Sequence, residues 1–253
     1  CQPDFDDIRF TASDGETLLS YWIEEKVDGS YAVVWVKIPY IPASPGNITI
    51  YLYYGNSTAV SESDGDATFE FFDDFEGTTI NPSKWTDVQN AWLSNGVFRG
   101  NGGNEMTWAR TFKTFTAPFI VKFSMRPESV PWWNPDFDSG IRVGNLYLIS
   151  DTGSYGGPPA IGTSWVYPRG SHGRDLSYHI YRATITSNWQ LLEDLTSGGS
   201  TSTSYSYSPG SLYLIGDSDS KYRDTFYDWI FVRKYISPEP VHDGWGCEEV
   251  FSP

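Results

Sequence analysis

The chain has 253 residues, 17% of them aromatic, with 24 Gly, 16 Pro and a formal net charge of −15. So acidic a surface repels phosphate backbones and anionic headgroups, which argues against nucleic acid as a partner, and no apolar run approaches the length of a membrane span, which argues against direct membrane insertion. Aromatics favour strands, Gly and Pro punctuate turns, and no long stretch carries apolar residues at helical spacing, so the pattern predicts an all-β chain with one large domain or two modest ones.

Residues 8–11 lead into the turn Ser13-Asp14-Gly15-Glu16. A strand is predicted over 18–24, a turn at Asp28-Gly29, and a strand over 31–38 (YAVVWVKI) that Pro39 ends. After a turn over 42–46, residues 48–54 (ITIYLYY) form another strand. Regular strands divided by turn signals predict a small β-sandwich. Residues 55–68, rich in Ser, Asp and Gly, are a candidate linker. Beyond it, strands are predicted at Phe98 and over 107–112, 119–126, 140–143, 146–150, 178–185, 189–195, 212–216 and 228–235. Their spacing fits a double-sheet jelly roll. Residues 197–208 read as a hairpin tip plus a polar strand. The division is therefore 1–68, 69–238 and a tail over 239–253.

Two cysteines stand at the ends, Cys1 and Cys247. Their separation does not suit zinc, which needs close pairs. A disulfide joining them is the first expectation, closing almost the whole chain into one loop. Free thiols, or a lipidated Cys1, are the alternatives. Sequons at Asn47 and Asn56 permit N-glycosylation in a secreted protein.

The strings Asp7-Ile8-Arg9-Phe10-Thr11, Leu19-Ser20-Tyr21-Trp22-Ile23-Glu24, Val34-Trp35-Val36-Lys37-Ile38-Pro39 and Ile50-Tyr51-Leu52-Tyr53-Tyr54-Gly55-Asn56 follow one another in order. Together they resemble a secreted domain family of unknown function from archaeal and bacterial surface proteins. In that family the module usually precedes a concanavalin A-like (LamG- or glucanase-like) domain. Phe71-Phe72-Asp73-Asp74-Phe75-Glu76 and Trp85 resemble the opening of such a domain, and residues 227–235 (YDWIFVRKY) resemble its closing strand. The resemblance implies an all-β chain in which a small β-sandwich module is followed by a concanavalin A-like jelly roll, in an extracellular or cell-surface protein. It also implies that the small module lacks its first strands, leaving an edge that a neighbouring subunit could complete.

Glycosidases of the glucanase branch place carboxylates on one strand in an alternating Glu-x-Asp-x-x-Glu or Glu-x-Asp-x-Glu pattern, which aims them into one cleft. That pattern is absent from this sequence. Asp136-Phe137-Asp138 lacks a third carboxylate, and the adjacent Glu193 and Asp194 would face opposite sides of a strand. Gly-x-Ser-x-Gly and phosphate-loop motifs are absent as well. An enzyme is thus the less favoured reading.

Calcium is the expected ion, because hard cations take carboxylate and carbonyl oxygens. By resemblance to the glucanase-like fold it would join the opening segment, at Asp74 or Glu76, to the closing strand at Asp228. A weaker candidate is Asp217 and Asp219 with Asp224. For ligands, Pro131-Trp132-Trp133-Asn134-Pro135-Asp136 is the most suggestive segment, with Asp138 and Arg142 beyond it. Sugars stack C–H patches on aromatic faces and pair hydroxyls with Asp, Asn and Arg. Trp132 and Trp133 are either exposed or core; Trp22, Trp35, Trp85 and Trp229 are expected in the core.

The expected function is a non-catalytic carbohydrate-binding or adhesion module of a cell-surface protein, its partner a glycan or polysaccharide. The alternative is a structural subunit of an extracellular filament or surface layer, whose partners are copies of itself or a neighbouring surface protein. A glycosidase with an unfamiliar site comes third.

Overall fold

A computed structural model of the chain describes residues 1–102, 108–127, 138–151, 159–163, 177–215 and 223–247. Among the described residues the fold is all-β apart from one short helix.

The small module comes first. β1 (Arg9–Thr11), β2 (Leu18–Leu19) and β5 (Tyr51–Tyr53) form a three-stranded antiparallel sheet in the order β2-β1-β5. β3 (Tyr21–Val27) and β4 (Tyr31–Val36) form a separate antiparallel hairpin. The strand expected over 18–24 is therefore two strands, and the chain changes sheet at Ser20. Ile8, Phe10, Leu19 and Tyr21 make the core between the two sheets, packed by Ile23, Val34, Val36 and Leu52. Strand alternation explains the choice of face: Tyr21 and Ile23 point into this core, while Trp22 points the other way.

Residues 55–68 are not a loose linker. The Asp7 carboxylate accepts the Gly55 amide at 2.6 Å. Arg9 donates to the Val60 carbonyl at 2.7 Å and pairs with Glu62 at 3.1 Å. Ser63 bridges Tyr21 in parallel fashion. Asp64 then caps α1 (Gly65–Thr68), accepting the Ala67 amide at 2.9 Å. Polar composition marked a connection, but its backbone and side chains are tied to the module.

The jelly roll follows. Its strands are β6 (Phe71–Asp73), β7 (Trp85–Gln89), β8 (Ala91–Leu93), β9 (Phe98–Gly102), β10 (Trp108–Phe115), β11 (Phe119–Pro127), β12 (Asp138–Val143), β13 (Leu146–Asp151), β14 (Ala160–Gly162), β15 (His179–Ile185), β16 (Gln190–Asp194), β17 (Ser200–Thr203), β18 (Gly210–Ile215) and β19 (Arg223–Lys234). One sheet runs β14-β13-β12-β18-β10-β7. The other runs β17-β16-β15-β11-β19-β9-β8, with β6 also on β19. All named pairings are antiparallel. The polar strand expected within 197–208 is β17. The closing strand starts earlier than its apolar run suggested, because residues 223–227 pair with β9.

Inward residues of both sheets form the main core, among them Trp85, Phe98, Phe123, Ile141, Leu148 and Leu214. Tyr227 crosses this core. Its hydroxyl is shared between the carbonyls of Gly140 and Ile215, 2.7 Å from the latter, and accepts the Ile215 amide at 3.3 Å. A single buried hydroxyl thus fastens β19 to the opposite sheet. Burial pushes its ionisation well up.

The third core lies between module and jelly roll. Trp22 and Trp35 of the hairpin meet Phe69, Phe72, Trp229 and Phe231. Trp229 and Phe231 sit on the outer face of β19, whereas Ile230 and Val232 face the main core. The β3–β4 hairpin is consequently a middle layer with a core on each face. The Trp22 ring stands edge-on to Phe69, Phe72, Trp229 and Phe231, at centroid separations of 4.9 to 5.9 Å. Such pairs add about 0.5–1.5 kcal/mol each beyond their buried area.

Candidate functional site

The module packs on the outer face of the eight-stranded sheet, against β6 and β19. The outer face of the six-stranded sheet lies on the far side of the sandwich. On β13, β12 and β18 the inward residues are Leu146 and Leu148, Ile141 and Val143, and Leu212 and Leu214. Alternation turns the residues between them outward. Register then aligns four of these into one cross-strand row: Tyr147 opposite Arg142, Arg142 opposite Tyr213, and Tyr213 opposite Arg110.

Within the row, the Arg142 guanidinium stands 5.3 Å from the Tyr147 ring centroid and 5.1 Å from that of Tyr213. Its Nε donates to the Gly144 carbonyl at 3.0 Å. Arg110 pairs with Asp87 at 2.5 Å. All four row residues are half-buried. A row across four strands spans roughly 14 Å at ordinary strand spacing. It offers two aromatic faces and a planar, multi-donor cation, the groups that hold a sugar by C–H stacking and by hydrogen bonds to its hydroxyls.

Of the ligand residues expected from sequence, Arg142 lies in this row. Trp132, Trp133 and Asp136 lie outside the described residues. Asp138 opens β12, but its side chain is not among those described. Tyr147 and Tyr213 were missed. Alternation within LYLIS and SLYLI points both outward, but only the strand register places them on either side of Arg142.

Of the metal residues expected, Asp228 is half-buried, and its carboxyl is held above the usual range by burial and then by the charges of Glu76 and Asp74. Among the described residues, however, no three His, Cys, Asp or Glu side chains converge closely enough to hold a metal ion. A calcium here would need backbone carbonyls to complete its shell of six to eight oxygens. Of the weaker candidate, Asp224 is buried and paired with Arg99, and Asp217 and Asp219 lie outside the described residues.

Glu193 and Asp194 face opposite sides of β16. Glu193 pairs with Arg182 at 2.8 Å on the outside. Asp194 is buried, and accepts from His179 Nδ1 (2.7 Å), Ser197 Oγ (2.7 Å) and the amides of Thr196 (2.9 Å) and Ser197 (3.0 Å). Burial alone would raise its carboxyl, but these hydrogen bonds outweigh it and bring the pKa to about 2.

Cys1 and Cys247 are both exposed, unbonded thiols, so the expected bridge is not formed. Cys1 Sγ instead lies 3.2 Å from Asp7 Oδ1. Asn47 and Asn56, the sequon residues, are both exposed. Among the described residues, no helix is long and apolar enough to cross a membrane.

A family model described as a domain of unknown function (DUF2341) matches residues 4–88. Uncharacterized protein MJ1472 of Methanocaldococcus jannaschii is 34% identical over 98 residues, which cover 36% of this chain and 18% of that protein. The chain thus spans less than a fifth of the length of this curated relative. Among solved structures, a prokaryotic β-1,3-1,4-glucanase (lichenase) from a mouse hindgut metagenome is similar at 14% identity, with 65% of this chain and 99% of that one covered and a TM-score of 0.45. The pseudo β-1,3-glucanase Rv0315 of Mycobacterium tuberculosis is similar at 13% identity, 66% and 99% coverage and a TM-score of 0.45. A β-1,3-glucanase from Mycobacterium marinum is similar at 10% identity, 65% and 98% coverage and a TM-score of 0.43.

Proposed function

We propose that this chain is a non-catalytic carbohydrate-binding module of an extracellular or cell-surface protein, with the outer face of the six-stranded sheet as its glycan platform. The observation that carries this reading is the Tyr147–Arg142–Tyr213 row, on the face of the sandwich opposite the module. Trp132, Trp133 and Asp136, which precede Arg142 in the sequence, belong to the same proposal as further ligand residues. Structural calcium at Asp74, Glu76 and Asp228 belongs to the same proposal. Its support is that burial and then the negative charges of Glu76 and Asp74 raise the Asp228 carboxyl, a repulsion that a divalent cation would offset.

The reading is tested on a broad glycan array with calcium present. Binding that a Trp132→Ala/Trp133→Ala variant loses is the expected result. No binding to any glycan would sink the proposal. It would favour the structural-subunit reading, to which the outer edge of β4 is relevant: among the described residues it has no strand partner beyond β3.

A further inference from the structure

We infer that the row around Arg142 takes a negatively charged sugar: a carboxylate or sulfate group of an acidic polysaccharide pairs with the guanidinium, while the sugar ring packs on Tyr147 or Tyr213. This rests on the glycan-binding reading and names its ligand class.

The chain carries 32 Asp and Glu against 17 Lys and Arg, so carboxylates are in excess. Arg9, Arg99, Arg110, Arg182 and Arg233 each pair with one, at Glu62, Asp224, Asp87, Glu193 and Glu239. Arg142 has none among the described residues. Its neighbours are a backbone carbonyl, reached through Nε, and two tyrosine rings. The rings and the carbonyl restrain the guanidinium while leaving its two terminal nitrogens without a carboxylate. A pre-oriented planar fork of this kind matches carboxylate and sulfate oxygens in bidentate fashion.

An acidic polysaccharide is repelled by a surface of net charge −15. Affinity for it must therefore come from a local cation free of an internal partner. Arg110, in the same row, is held by Asp87, which leaves Arg142 as the row's open cation. Loss of this one side chain should remove most of the affinity.

The test is calorimetric titration of the whole chain with polygalacturonate, dextran sulfate and neutral dextran at one ionic strength. Wild type is compared with Arg142→Gln, Arg142→Lys and, as a control on the other sheet, Arg182→Gln. The expected result is tighter binding of one or both acidic polymers than of dextran. Arg142→Gln weakens it by roughly ten- to a hundredfold, the size of a lost charge-assisted hydrogen bond. Arg142→Lys keeps the charge without the fork and recovers part of the loss, while Arg182→Gln binds as wild type. Whichever acidic polymer binds identifies the group as carboxylate or sulfate. An unaltered melting temperature in Arg142→Gln shows that the loss is local. Acidic binding unchanged in Arg142→Gln, or dextran bound as tightly as the acidic polymers, overturns this inference alone. Binding to none of the three, with no hit on the glycan array, overturns the glycan-binding reading with it.

Discussion

Lys122 Nζ lies 2.5 Å from Glu24 Oε1, and the rings of Trp35 and Trp229 flank the same ammonium at 5.5 and 5.6 Å. Glu24 belongs to the small module and Lys122 to the jelly roll, so an ion pair crosses their boundary. Both side chains are largely buried, at 7% and 12% exposure. The second Glu24 oxygen accepts from Trp35 Nε1 at 2.5 Å. Removing one partner strands the other charge. Lys122→Ala is expected to destabilise the chain by about 3 kcal/mol. The double variant Glu24→Gln/Lys122→Met should recover much of that loss. Denaturant melts of the three proteins check this. Equal losses in single and double variants would contradict it.

The same boundary predicts cooperative unfolding. The hairpin has a core on each face, so neither part can open without exposing Trp22 and Trp35. A calorimetric scan is expected to show one transition, and Trp22→Ala to cost about 3–5 kcal/mol. Two separated transitions in the wild type would refute the middle-layer role of the hairpin.

Acid should act through Asp194. Its folded pKa, about 2, lies below the ordinary 3.8. The stability it contributes is therefore present above 3.8 and is lost as the pH falls toward 2. The difference corresponds to about 2.5 kcal/mol. Asp194→Asn is expected to be less stable at pH 7 and to show a shallower decline in stability over that acid window. Denaturant midpoints at stepped pH values measure both. A wild-type slope retained in the variant would show that other carboxylates govern the acid transition.

Asp228 has the opposite sign. Burial, Glu76 and Asp74 raise its folded pKa, so its favourable contribution is present below 3.8 and is lost as the pH rises through the folded value. Asp228→Asn should accordingly melt higher than wild type at pH 7 in EDTA. Calcium should raise the wild-type melting temperature, since an ion bound only to the native state stabilises it, and should have little effect on the variant. A wild-type melting temperature indifferent to calcium and EDTA would remove calcium from the account.

Much of the fold was legible because strand alternation and turn residues are local signals. The strands over 119–126 and 178–185 needed only their apolar period, and Trp22, Trp35, Trp85 and Trp229 were recognisable as packing residues. Which core they pack was not legible. Trp22 and Trp229 meet only because two sheets stack through the hairpin, a relation between distant segments. The pairing of Glu24 with Lys122, 98 residues apart, was hidden for the same reason. Short strands such as β8 and β14 carry too few residues to show a period. The site was half visible. Arg142 stood out as the cation beyond a tryptophan-rich loop, while Tyr147 and Tyr213 depended on register, which sequence alternation does not set across separate hairpins.

The most direct test of the central claim is Tyr147→Ala/Tyr213→Ala, measured by calorimetry against the strongest glycan found on the array. Each stacked ring lost from a sugar site costs about 0.5–1.5 kcal/mol, so affinity should fall by about five- to a hundredfold with the melting temperature little changed. Unchanged affinity in a folded double variant would place the glycan elsewhere and contradict the account.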